Sequence, residues 1–236
     1  MARPSARGNT AWPTTTDRPP LPVAFRLGNL GIRVALFLFA VRVVVEGGER
    51  VPDEPGVILA SNHLSVVDPP LLSLLVAQAV GRRVRYMAKA EVMRMPLVGA
   101  MLRAYGGFGV RRGQADREAY RLAQTVLAGG DWLGLAPEGT RSRTARLGEP
   151  KPGVVALALR SDALVLPVGI AGSERTWPIG ARLPRWGTTV TVRFGLPYRP
   201  NDIASPNGRE DVAEGTEHLM ERIAALLPSE YRGRFG

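Results

Sequence analysis

From about residue 56 onward, short apolar runs alternate with longer stretches in which apolar residues recur every three or four positions. The runs VILAS (57–61), VRYMA (84–88), GFGV (107–110), WLGLA (132–136), ALVLPVGI (163–170) and TTVTVRF (188–194) predict strands. Between them, residues 70–79, 114–128 and 152–161 predict helices, and 209–227 predicts a closing one. In 114–128 the positions Ala119, Leu122, Ala123, Val126 and Leu127 mark one face to be buried. Strands alternating with helices predict an α/β fold: a single layered domain over residues 46–236, built on a mixed, largely parallel sheet flanked by helices. No internal repeat interrupts it.

The N-terminal part has a different pattern. Residues 1–22 are rich in Pro, Thr and Arg and have no apolar periodicity, so a disordered basic arm is expected, without the apolar core and cleavage site of a secretory leader. Residues 23–45 follow. Their longest uncharged run, Val34 to Val41, falls well short of the roughly 20 residues that span a bilayer. Arg33 and Arg42 flank it, and arginines that snorkel beside Leu and Phe suit a helix lying in the membrane interface. The alternative is a buried helix that runs into a strand at Val41–Val45.

Composition narrows the chemistry. The chain of 236 residues has no cysteine, which excludes disulfides, thiolate metal sites and a Cys nucleophile. One candidate His among scattered carboxylates makes no metal-ligand set, so no metal is expected. The net charge of +10 is carried almost entirely by Arg, with Lys only at positions 89 and 151. Guanidinium groups suit phosphate, although an Arg-rich genome would produce the same bias. Nucleic acid is disfavoured as a partner: there is no zinc-finger spacing and no Gly-rich KH loop, and aromatics are 6% of the chain. An anionic lipid surface or lipid substrate fits better.

Only two histidines exist. His218 sits in a polar helical stretch, whereas His63 directly follows the apolar run that ends in Asn62. Asp68 comes five residues later, and on a continuous helix the two side chains would point about 140° apart. Asp68 precedes Pro69 and Pro70, so it is predicted to cap a helix that starts at Pro69. Residues 63–67 then form a loop that can fold His63 back onto the Asp68 carboxylate. An imidazole held this way through Nδ1 keeps Nε2 free as a general base, and the nucleophile can be the substrate's own hydroxyl. Taken alone, a His and an Asp five apart is weak evidence, and an N-capping Asp beside an incidental histidine is the more ordinary reading.

Pro137-Glu138-Gly139-Thr140-Arg141 follows the strand WLGLA, so its polar groups should emerge at a strand's carboxyl end, where α/β ligand sites gather. Gly139 permits a sharp turn, Thr140 offers a hydroxyl, and Arg141 offers a forked donor matched to phosphate. A solvated turn with an ion pair is the competing reading.

Taken together, NHLSVVD (62–68) and PEGTR (137–141) resemble the glycerophospholipid acyltransferases, of the lysophosphatidate (1-acylglycerol-3-phosphate) acyltransferase type. GGFGVRR (106–112) looks like that family's second block and LPV (166–168) like its fourth, so the resemblance covers roughly residues 40–200. It implies an O-acyltransferase in which His63 takes the acceptor hydroxyl's proton while Asp68 orients it. Arg112 and Arg141 would then bind the acceptor's phosphate, with Glu138 and Gly139 shaping that pocket. The second block departs from the family at Gly109, where a bulky apolar residue is usual, which leaves Arg111 as the alternative to Arg112. Lys151 and Gly153 could assist the anion or lie in an exposed loop.

The resemblance further implies acyl-CoA or an acyl carrier protein thioester as co-substrate and no other cofactor. It implies a peripheral or monotopic place on the cytoplasmic face of the cell membrane. The acceptor would be lysophosphatidate, or else glycerol 3-phosphate, another lysophospholipid or a glycolipid.

Overall fold

The computed structural model describes residues 20–110, 117–203 and 211–236. Nearly all of the expected N-terminal arm lies outside them, as do both candidate block-two arginines, Arg111 and Arg112. Seven strands lie among the described residues: β1 (Arg42–Glu46), β2 (Ile58–Ser61), β3 (Val84–Lys89), β4 (Phe108–Val110), β5 (Trp132–Leu135), β6 (Val165–Ala171) and β7 (Thr189–Phe194). The α-helices are α1 (Val23–Leu38), α2 (Asp68–Val80), α3 (Ala90–Arg94), α4 (Pro96–Ala104), α5 (Arg117–Ala128), α6 (Gly153–Ser161), α7 (Ser173–Thr176) and α8 (Val212–Ala225).

The strands form one sheet in the order β1-β7-β6-β2-β5-β3-β4, parallel throughout except where β6 meets β7. The expected mixed, largely parallel α/β sheet is therefore present. Covered on both faces, it separates two apolar cores. Ile58, Ala60, Leu133 and Val165 join the core that includes residues of α5, α6 and α8. Val57, Leu59, Trp132, Leu166, Val168 and Ile170 join the core that includes α2. This alternation is the period-2 pleat of the strands. β6 is buried along its whole length, as its uninterrupted apolar run requires.

Four details differ from expectation. The segment 23–45 divides at Ala40: its first part is α1, whereas Arg42–Glu46 pairs with β7 and belongs to the sheet. Helix α2 begins at Asp68 rather than Pro69, with Val67 in the capping position, because the Asp68 carboxylate turns back to bind upstream groups instead of the first-turn amides. In α5, Ala119, Ala123, Val126 and Leu127 are buried but Leu122 is 42% exposed. On a 3.6-residue wheel the four buried positions share one arc and Leu122 lies on its rim. The short helices α3, α4 and α7 were not foreseen.

Candidate active site

The site lies at the carboxyl ends of β2 and β5. As β2 ends, Asn62 continues its ladder by side chain: Nδ2 donates to the Ile170 carbonyl and Oδ1 accepts from the Ile170 N–H, both at 2.8 Å. The backbone is then free to turn away from the sheet, and His63 is the first residue of that turn.

The turn closes on Asp68. Its Oδ2 accepts from the backbone N–H of Leu64 at 2.7 Å and of Ser65 at 2.8 Å, and it lies 2.9 Å from His63 Nδ1. The carboxylate is thus the hub of a five-residue loop, a geometry no continuous helix could give. With a carboxylate as partner, Nδ1 carries the ring proton and Nε2 keeps its lone pair. The Asp68 side chain is 2% exposed and that of His63 21%, so the anion is sheltered while the ring reaches open space.

The segment after β5 clamps His63 from the other side. Glu138 Oε1 accepts from the His63 N–H at 3.3 Å, and the Ser142 N–H donates to the His63 carbonyl at 2.8 Å. Glu138 Oε2 accepts from the Gly148 N–H at 3.0 Å, tying the far end of the same loop. Glu138 is therefore not the solvated turn residue of the competing reading: it is buried, and desolvation pushes its carboxyl above the ordinary value although two backbone hydrogen bonds oppose the shift. Gly139 has φ +69°, and a Cβ there would come within 3.2 to 3.4 Å of the Lys151 side chain. Lys151 folds across that bare backbone and borders the cavity, as does Gly153.

The cavity has a volume of about 380 Å³ and opens beside His63 and Asp68. Leu72, Met87, Val110, Leu135, Val154 and Leu157 make much of its wall apolar. Gly134 lets the Tyr86 ring lie flat on β5, since a Cβ at Gly134 would sit 2.0 Å from Tyr86 Cε1. The Tyr86 hydroxyl is buried, and that burial pushes its ionisation upward.

Of the residues singled out in the sequence, the structure brings His63, Asp68, Glu138 and Gly139 together. Thr140 is exposed, and Arg141 is half-buried; neither borders the cavity, and Arg141 makes no ion pair with a described residue. Arg112 lies outside the described residues. Sequence reasoning assigned no role to Asn62, Tyr86 or Gly134. Only Asn62, a buried polar residue at the end of an apolar run, left a signal. Among the described residues no group of three or more His, Cys, Asp or Glu could hold a metal ion.

Fold and site together define an α/β enzyme with a His–Asp pair at the carboxyl edge of its sheet and an apolar cavity beside it. A family model described as Acyltransferase matches residues 42–171. The 1-acyl-sn-glycerol-3-phosphate acyltransferase of Borreliella burgdorferi is 28% identical over 62% of this chain and 58% of its own length. That of Bacillus subtilis is 27% identical over 78% of this chain and 87% of its own. The crystal structure of the 1-acyl-sn-glycerophosphate (LPA) acyltransferase PlsC from Thermotoga maritima superposes with a TM-score of 0.63 at 27% identity, covering 82% of this chain and 77% of that one. The chain belongs to the acyltransferase family.

Proposed function

We propose that this protein transfers a fatty acyl group from an acyl thioester to the free hydroxyl of 1-acylglycerol 3-phosphate (lysophosphatidate), forming phosphatidate. The observation that carries the reading is the His63–Asp68 contact of 2.9 Å at the opening of an apolar cavity, with no described residue hydrogen-bonded to Nε2. The names of the relatives support the acceptor class.

His63 Nε2 takes the proton of the acceptor hydroxyl as the oxygen attacks the thioester carbonyl, and the Asp68 charge stabilises the imidazolium that forms. The tetrahedral intermediate then collapses with cleavage of the carbon–sulfur bond. The imidazolium returns its proton to the departing thiolate, so the base is restored and no acyl-enzyme is formed. The Glu138 clamp keeps the His63 backbone fixed through these steps. The apolar cavity suits an acyl chain. Lys151, which borders the cavity, gives it a cationic side toward which the acceptor's phosphate would lie, and the resemblance adds Arg141 and Arg112 as candidate phosphate ligands. The donor is acyl-CoA or an acyl carrier protein thioester, and no other cofactor takes part.

Helix α1 would lie in the interface of the cytoplasmic leaflet. No described helix is long and apolar enough to cross a membrane. The support for contact is that Val23, Leu27, Leu30, Val34, Phe37 and Leu38 are exposed along one side of α1, while Phe25 and Asn29 on the other side are buried.

The test is thiol release from a long-chain acyl-CoA by the purified protein in detergent, with lysophosphatidate, glycerol 3-phosphate, a phosphate-free monoacylglycerol or no acceptor. Wild type and His63→Ala are compared throughout. Release that requires both lysophosphatidate and His63 is expected, with His63→Ala slower by about two to four orders of magnitude. Acceptor-independent release would indicate a thioesterase, and an active His63→Ala would refute the mechanism.

A further inference from the structure

The proposed contact of α1 with a membrane leaves a second exposed apolar surface unexplained. Residues 177–188 connect α7 to β7, and three of their large apolar side chains stand in solvent: Leu183 is 71% exposed, Trp186 75% and Ile179 47%. Single exposed apolar residues are ordinary; three within eight positions, one of them a tryptophan, are not.

The segment is well held. Trp177 Nε1 donates to the Ala181 carbonyl at 3.0 Å, the Arg185 N–H to the Thr176 carbonyl at 2.7 Å, and the Thr176 and Thr188 hydroxyls lie 2.8 Å apart. At one end it joins α1, where the Gly187 N–H donates to the Phe39 carbonyl at 2.9 Å just past the exposed Phe37 and Leu38. At the other it joins the catalytic loop, where the Ser65 hydroxyl donates to the Trp177 carbonyl at 2.9 Å. The apolar side of α1, the 177–188 loop and the exposed Val66 beside Ser65 are thus linked in series.

Charge identifies the occupant. The only charged residues in 177–188 are Arg182 and Arg185, and the only ones in α1 are Arg26 and Arg33. All four are exposed, and none forms an ion pair with a described residue. An apolar rim bearing Trp and exposed arginines, with no acid among them, complements the interface of an anionic bilayer, where Trp settles at headgroup depth and Arg meets phosphate. A protein partner would be expected to meet carboxylates as well.

We infer that the 177–188 loop is a second membrane-docking element, with Leu183 and Trp186 inserting beside α1 and Arg182 and Arg185 on lipid phosphates. This rests on the α1 reading. Two contacts fix an orientation that one helix leaves free to roll, and they set the His63 loop against the leaflet, so that a lysophospholipid reaches the base without leaving the lipid.

The experiment is flotation of the full chain with vesicles of phosphatidylcholine alone or mixed equally with phosphatidylglycerol. It compares wild type, Leu183→Ser/Trp186→Ser, Arg182→Gln/Arg185→Gln and Leu27→Ser/Phe37→Ser. Turnover of detergent-dispersed substrate shows that each variant is folded. The Leu183/Trp186 pair is expected to weaken partitioning by about ten-fold or more with turnover retained. The arginine pair should remove most of the preference for phosphatidylglycerol. Brominated lipid should quench wild-type fluorescence more than that of Trp186→Phe. If the Leu183/Trp186 pair partitions as wild type while the α1 pair does not, the loop inference fails and the α1 reading stands. If no variant differs, or wild type does not float, both fail. A changed oligomeric state with unchanged flotation would overturn the inference in favour of a contact between copies.

Discussion

Replacing Asp68 by Asn separates the charge of the His63–Asp68 pair from its geometry. Oδ2 accepts three contacts, from His63 Nδ1, Leu64 N–H and Ser65 N–H, whereas Oδ1 is buried without a hydrogen-bond partner. An amide can therefore put its oxygen where Oδ2 was and its NH2 where nothing needs an acceptor. The loop and the Nδ1 tautomer survive; the negative charge is lost, and the buried NH2, which finds no acceptor, costs about 1 to 3 kcal/mol of stability without altering the contact to His63. At 2.9 Å, a full imidazolium charge facing a carboxylate gains about 6 kcal/mol at an effective dielectric constant near 20. Since the ring shares its charge between two nitrogens, about 3 kcal/mol is a reasonable lower figure. At 1.36 kcal/mol per decade these correspond to a rate loss of about two to four orders of magnitude.

Asp68→Ala must behave differently, because it strands two buried backbone N–H groups at about 1 to 3 kcal/mol each. It should lower thermal stability more than Asp68→Asn does, as well as lowering rate. The assay is acceptor-dependent thiol release, paired with thermal unfolding of both variants. An Asp68→Asn enzyme within about three-fold of wild type would show that the charge does not assist proton transfer and would refute the argument.

Gly134→Ala brings a Cβ to 2.0 Å from the Tyr86 ring and must push that ring into the cavity, so stability should fall by about 1 to 3 kcal/mol and the longest acyl donors should lose most rate. A donor-chain series read alongside urea unfolding checks both. The raised Glu138 carboxyl means that the folded chain holds this proton more tightly than the unfolded one. Its stability contribution is accordingly greatest below the ordinary value of 4.5 and falls as pH rises through the folded value. Stability measured against pH for wild type minus Glu138→Gln should decline across that window, and a difference that rises would contradict it. Arg141→Ala should raise KM for lysophosphatidate with kcat nearly unchanged, and a loss confined to kcat would remove Arg141 from acceptor binding.

Much of the fold was legible because strands and helices leave different periods in the chain. All six strand runs became strands, and the structure adds that the one at 163–170 is buried along its whole length. His63 and Asp68 were legible because Pro69 and Pro70 set a helix start just where a loop was needed to bring them together. The role of Asp68 in that loop was not: a helix-capping aspartate and one that turns back on its own loop have the same sequence. Leu122 was misplaced because an apolar pattern fixes the direction of a buried face but not the width of the arc its neighbours cover.

What the sequence determined by itself is therefore local: element types, the candidate base, and the loop that carries Glu138. The tertiary structure alone decided what those parts touch. It turned Glu138 from a turn residue into a buried clamp on His63, stacked Lys151 over Gly139, and joined Gly134 and Tyr86 in one wall of the cavity. It also left the apolar side of α1 and of residues 177–188 uncovered while burying equally apolar strands. Each of these depends on contacts between residues far apart in the chain, which strand order and register set and composition and periodicity do not encode.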